Sequence, residues 1–152
     1  MQIRDATDGD LAGIARMRSA IDRDAHDDSG ADPGYCRHLI ESGRLLVGVD
    51  GEDIVGFAGA IDIGDARLLA DLFIDPVVQG TGVGRSLLTE VLAGADDRFT
   101  FSSSDPRAMP IYARAGMLPR WPLLYMRGDR RALPVPRGTT RSEEHTSELQ
   151  SQ

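Results

Sequence analysis

Apolar positions along this chain change their spacing in a way that marks successive elements. Ile3 stands among polar neighbours as a short opening strand. Thr7-Asp8-Gly9-Asp10 then offers hydroxyl and carboxylate caps for a helix, and Leu11, Ile14, Met17 and Ile21 follow at near-helical spacing, which gives that helix one apolar face. Residues 25–31 form a polar, glycine-containing loop expected to border a site. Asp32-Pro33 opens a second helix that Gly43 closes. The apolar runs 45–49 and 54–61 are separated by Asp50-Gly51, where both turn positions tolerate positive φ, so they predict an antiparallel hairpin. A turn at Gly64-Asp65 leads into residues 68–74. Strict alternation puts Leu68, Ala70, Leu72 and Ile74 on one face of that strand and Leu69, Asp71 and Phe73 on the other. Both faces are mostly apolar, as in an interior strand covered on two sides.

The next segment, Asp75 to Arg85, carries Gly80, Gly82 and Gly84 and runs into Leu87, Leu88, Val91 and Leu92 at helical spacing. A glycine loop between a strand and a helix lets backbone N–H groups approach an anion. The unpaired amides of the helix's first turn point the same way, with the positive end of its dipole. A phosphate or pyrophosphate is expected there; a tight strand-to-helix turn with no ligand is the competing reading. A Rossmann fingerprint fits poorly, because the spacing is G-x-G-x-G and the loop follows an antiparallel run.

Composition narrows the function classes. All 17 basic residues are arginine, which removes Walker-type phosphate loops and lysine Schiff-base chemistry, since both need an ammonium. The formal charge is −7 and Arg is scattered among Asp, a distribution that argues against a nucleic-acid partner. Cys36 is the only cysteine, so neither an intrachain disulfide nor a cysteine-rich zinc site can form, and no metal is expected. No apolar run approaches the roughly 18 residues of a membrane span, and the first ten residues are acidic where a secretory signal would be basic. A cytoplasmic protein without a membrane partner is expected.

The spacing Gln79-x-x-Gly82-x-Gly84, together with Ala108-x-x-x-Tyr112-x-x-x-Gly116-Met117, resembles the two signature motifs of the GNAT superfamily of N-acetyltransferases. The order of elements resembles that family over about Ile3 to Arg127. The resemblance implies an α/β fold with a splayed, predominantly antiparallel mixed sheet flanked by helices. It also implies acetyl-CoA as cosubstrate, wedged between the fourth and fifth strands. Backbone groups of Leu72, Phe73 and Ile74 would meet the pantetheine arm. The amides of Gln79, Gly80, Thr81, Gly82, Val83 and Gly84 would bind the pyrophosphate, with Arg85 adding charge.

Tyr112 matches the family tyrosine that protonates the departing thiolate. A phenol with an ordinary pKa of about 10 can donate to a thiolate of about 8.5, so the direction of transfer is sensible; a core tyrosine is the alternative. The family's base, early in the fourth strand, falls on Leu68, which cannot act as one. Asp71 is the nearest acidic replacement, though alternation puts it on the opposite face from Leu68 unless a bulge intervenes. His26, Asp27, Asp28 or ordered water are the other candidates. Asp105 stands where the family has asparagine and reads as a helix cap before Pro106. Pro110 is harmless if the helix begins close to Arg107, and Cys36 and His38 read as packing residues.

Residues 1–128 are thus expected to be the acetyltransferase domain, with an apolar last strand over Leu123 to Met126, and 129–140 a Pro/Arg-rich linker or truncated extension. Residues 141–151 match, residue for residue, the translation of a common short-read sequencing adapter. Residues 141–152 are therefore expected to be an artefactual, disordered tail that replaces the natural stop. Two function classes stand: an enzyme that acylates a primary amine of a small molecule or a protein N-terminus, and a noncatalytic acyl-CoA-binding module regulating a larger protein. A homodimer or a missing second domain is the expected partner.

Overall fold

The hairpin around Asp50-Gly51 and the turn at Gly64-Asp65 fall in the middle of one sheet, five-stranded among the described residues. Its strands are β1 (Gln2–Asp5), β2 (Arg44–Asp50), β3 (Asp53–Ile63), β4 (Ala66–Ile74) and β5 (Asp97–Thr100), lying side by side in that order. The first three pairings are antiparallel and β4 with β5 is parallel, so the sheet is mixed and predominantly antiparallel, as expected. This computed structural model describes residues 1–21, 32–102 and 106–122. The loop with His26, Asp27 and Asp28, Asp105, the strand expected over Leu123 to Met126, the linker 129–140 and the tail 141–152 lie outside the described residues. The chain divides into two units, Met1–Trp121 and Pro122–Gln152, and every element named here belongs to the first.

Helix α1 (Leu11–Ile21) is entered through a 3-10 turn at Asp8–Asp10. The Asp10 carboxylate accepts bonds from the Thr7 amide and hydroxyl, each 2.8 Å, which satisfies an N–H at the helix entrance. Arg4 donates two further bonds of 2.8 Å to the same carboxylate, stitching β1 to that entrance. Helix α2 (Pro33–Ser42) begins as its sequence dictates: the Asp32 side chain accepts from the Gly34 amide at 2.9 Å, proline occupies the first turn, and Gly43 ends it.

Two cores cover the two faces of the sheet. Leu11, Ile14 and Met17 of α1, with Cys36 and Leu39 of α2, pack on Leu45, Val47 and Phe57. Helix α3 (Val83–Val91) places Val83, Leu87, Leu88 and Val91 against Leu46, Ala58, Ala60 and Leu69 on the other face. Helix α4 (Ala108–Arg114) adds Ile111 and Tyr112 to that second core. Each fully covered Leu, Val or Ile side chain contributes about 1.5–3 kcal/mol relative to leaving it in water. The start of α3 comes close to the sheet because the cross-strand pair under it is Gly48 and Gly56. A Cβ on Gly48 would lie 3.1 Å from Val83, and one on Gly56 2.9 Å from Ile74 and 3.2 Å from Leu87. Among the described residues no helix is long and apolar enough to cross a membrane.

The sequence expectation for β4 needs one correction. Gly59 pairs with Asp71 but its neighbour Ala60 pairs with Leu69, so Ala70 is a bulge residue. Beyond it the phase inverts. Leu69 shares the α3 face with Leu72 and Ile74, and Leu68, opposite Ile61, lies on the α1–α2 face with Asp71 and Phe73.

Bonding to Arg4 and Thr7 holds the Asp10 carboxyl well below the usual carboxylate range. A depressed pKa stabilises the fold above the unfolded value of about 4 and loses that contribution as pH falls further. Asp10→Ala should therefore lower stability by about 1 kcal/mol at pH 7. The gap between variant and wild type, measured by urea denaturation, should close as pH is taken below about 4.

Candidate functional site

The parallel ladder between β4 and β5 covers only Ala66 to Leu69 against Asp97 to Thr100, where the Thr100 hydroxyl donates to the Leu69 carbonyl at 2.9 Å. From the Ala70 bulge onward β4 is paired, among the described residues, to β3 alone, and its ladder with β5 has ended. The Asp75 amide donates to Val55 of β3 at 2.9 Å. With two-residue alternation, Phe73 turns its backbone groups toward β3 and Leu72 and Ile74 turn theirs outward, into the opening. The Phe73 ring is accounted for on the α1–α2 face, stacked on Phe57 with centroids 5.3 Å apart.

This open edge runs directly into the glycine loop. Asp75 caps a short 3-10 turn at Pro76–Val78, its carboxylate accepting from the Val77 amide at 2.8 Å. The Gln79 and Thr81 amides fold back onto the Pro76 and Val78 carbonyls. Gly80 and Gly82 take φ values of +85° and +96°, a region other residues adopt at a cost, and no atom stands within 4 Å of where a Cβ would be. Gly82 is the residue before α3, so the amides of Val83, Gly84 and Arg85 belong to its first turn and have no intrahelical acceptor. Val83 is buried and can serve a ligand only through its backbone; Arg85 is exposed. The Gln79 side chain spans the mouth, donating to the Ile74 carbonyl at 3.2 Å and accepting from Arg107, just before α4, at 3.2 Å.

At its other end α3 is held by two arginines. Arg44 of β2 and Arg67 of β4 each donate to the Val91 and Ala93 carbonyls, at 2.8–3.3 Å. Arg67 is itself fixed by two bonds to Asp62, at 2.6 and 3.0 Å.

The two side chains picked as catalytic lie on opposite faces of the sheet. Tyr112 is half-buried on the α3 side, in an α4 that starts at Ala108, so Pro110 falls within its first turn without harm. Asp71 lies on the α1–α2 side. The Tyr35 hydroxyl donates to its Oδ2 at 2.6 Å, and the Arg18 guanidinium is 3.5 Å from Oδ1. Burial pushes the Asp71 carboxyl up, and the Tyr35 bond and the Arg18 charge oppose it. Burial, with the neighbouring carboxylate, also raises the Tyr35 phenol and the Cys36 thiol. Arg18 and Tyr35 were not among the residues singled out from sequence. Each nonetheless leaves a trace there, Arg18 as a charge on the stripe Leu11, Ile14, Ile21 and Tyr35 as the polar member of the stripe Tyr35, Cys36, Leu39.

Residues 32–118 match the family model described as an acetyltransferase (GNAT) domain. The chain is 33% identical over 128 residues to a mycothiol acetyltransferase of Rhodococcus jostii, an alignment spanning 78% of this chain and 40% of that relative's length. Its fold superposes on an aminoglycoside N-acetyltransferase in complex with the bisubstrate analogue CoA-S-monomethyl-acetylneamine, with a TM-score of 0.66 at 15% identity over 84% of this chain and 97% of the other. It also superposes on a GNAT-family acetyltransferase of Staphylococcus aureus, with a TM-score of 0.67 at 18% identity over 88% and 89%. At those identities the likeness is one of fold.

The left-handed backbone at Gly82 makes the loop sensitive to substitution although there is open space around it. Gly82→Ala should cost about 1 kcal/mol in urea denaturation from backbone strain alone. A variant as stable as wild type would show that the loop relaxes out of this conformation.

Proposed function

This chain belongs to the GNAT acetyltransferase family, and from that premise we propose that it transfers an acetyl group from acetyl-CoA to a primary amine by direct attack. The observation that carries the reading is the continuity between the β4 edge left open past Leu69 and the glycine loop. Among the described residues, one surface offers the outward backbone groups of Leu72 and the outward amide of Ile74 and, next to them, the amides that begin α3 without an intrahelical acceptor. A pantetheine arm is an extended chain with two amides, and it suits a strand edge. A pyrophosphate suits a helix N-terminus. The amides of Gly80, Gly82, Val83 and Gly84 would hold the pyrophosphate, with Arg85 beside them. Gln79 and Thr81 would shape the loop, and Phe73 would keep the strand seated through its ring.

In the reaction the amine nitrogen forms a bond to the thioester carbonyl carbon, the C–S bond breaks, and free coenzyme A and an amide result. Tyr112 gives its phenolic proton to the leaving thiolate, and Asp71 takes the proton that the attacking amine sheds. Leu68 stands on the same face as Asp71 because of the bulge, so the carboxylate serves the side of the strand on which the family base falls. The acceptor class is a small-molecule amine. The names of the relatives support it, since mycothiol and aminoglycosides are what those proteins are named for.

The reading is tested by mixing the protein with acetyl-CoA and neamine, glucosamine or spermidine and following thiol release. Binding of acetyl-CoA without thiol release from any amine would favour a noncatalytic acyl-CoA module. Gly82→Glu adds a side chain and a negative charge at the anion loop, and calorimetry should show acetyl-CoA binding abolished; an unchanged affinity would refute the assignment of that loop. Tyr112→Phe should lower kcat roughly 10- to 1,000-fold with acetyl-CoA affinity nearly intact. A wild-type rate in that variant would leave Tyr112 a packing residue.

A further inference from the structure

The Asp71 carboxylate is approached from every layer around it. Arg18 comes from α1 and Tyr35 from α2, on separate oxygens. The same guanidinium lies over the Phe73 ring, 4.0 Å from its centroid, so the cation is seated between the carboxylate and an aromatic face. The side chains of Arg18 and Asp71 are each only 10% exposed. Gly59 faces Asp71 across the β3–β4 ladder. A Cβ there would lie 2.7 Å from the Leu39 methyl and 3.6 Å from Asp71 Oδ2, so the glycine leaves this space to Leu39 and the carboxylate.

Packing alone explains this cluster badly. Two charges withdrawn from water generally regain through their mutual attraction no more than they lose in hydration, and apolar side chains of the same size would fasten α1 and α2 to the sheet at least as well. The position of the cluster is the better guide. Asp71 is the residue next to the Ala70 bulge, where β4 parts from β5 and the opening begins.

We propose that Arg18 and Tyr35 are positioning residues for the acetyl transfer, holding Asp71 ionised and oriented beside the β4–β5 opening so that it accepts the proton of the attacking amine. The inference rests on the acetyl-transfer reading above and extends it to two side chains outside the signature motifs. The step balances. The amine proton passes to a carboxylate oxygen as the C–N bond forms, the thiolate is protonated by Tyr112, and Asp71 returns its proton to water after product leaves.

Among the described residues, the ionisable groups facing Asp71 are Arg18 from α1 and Tyr35 and Cys36 from α2; β3 presents Gly59 and the strand itself Phe73. Burial works against the ionised carboxylate, and the arginine charge and the tyrosine hydrogen bond favour it. Removing either support pushes the Asp71 carboxyl further up, toward the protonated form that cannot act as a base.

The experiment is the pH profile of kcat, which reports groups in the enzyme–substrate complex, measured with the best acceptor among neamine, glucosamine and spermidine. Arg18→Met and Tyr35→Phe should each move the acid limb upward, by about one pH unit or more for the arginine, while the KM for acetyl-CoA stays put. Arg18→Lys should bring the limb most of the way back. Asp71→Asn should lower kcat by about 100-fold or more. Tyr35→Phe removes a single oxygen and keeps the test readable should Arg18→Met fail to fold. Folded variants whose acid limb stays at the wild-type position, or an Asp71→Asn protein with wild-type kcat, would overturn the inference alone. A wild-type protein that neither binds acetyl-CoA nor releases thiol with any of the three amines would overturn the acetyl-transfer reading and this inference with it.

Discussion

Ala70 is one residue more than the β3 ladder can pair, and its insertion between Leu69 and Asp71 acts on the sheet twice. It inverts the phase of β4, so that Leu69 enters the α3 core while Asp71 is delivered to the α1–α2 face. It also marks the end of the parallel ladder with β5, so among the described residues the second half of the strand keeps a free edge. Those two effects place the open backbone, the anion loop and a buried carboxylate within one short stretch of chain. A regular β4 would set Asp71 against Leu68 on opposite faces.

Much of this arrangement was legible from spacing alone, and what escaped shares one physical cause. The caps at Asp10 and Asp32, the turn at Gly51, the apolar stripe of α3 and the positive-φ glycines at the anion loop are local signals, set by residues within a turn or two of one another. The bulge is not local. Leu68 to Ile74 is apolar on both faces but for Asp71, so either phase buries a comparable surface, and only the pairing with β3 decides between them. The Arg18–Asp71–Tyr35 cluster escaped for the same reason, since Arg18 and Tyr35 stand 53 and 36 positions before Asp71 and meet it only when both helices lie on the sheet.

The glycines of β2 and β3 show how backbone shape and chemistry are joined on the other face. Gly48 and Gly56 lie directly beneath the start of α3, and their missing side chains let Val83 and Leu87 settle there. The amides at the head of the helix are thus carried on a buried, closely packed base, while the loop that precedes them is exposed. A helix standing off the sheet by one extra side chain would point the same amides elsewhere.

Helix α3 has only nine residues, so its two ends are near enough for the charge at one to matter at the other. The partial negative charge on its last carbonyls is met by the guanidinium groups of Arg44 and Arg67, reaching up from two different strands. To an approaching anion the helix is then less a dipole, whose two poles cancel with distance, than a single positive pole. Its attraction is correspondingly longer in range, out to the roughly 8 Å at which physiological salt takes over. Because guanidinium keeps its charge across physiological pH, this pole is constant.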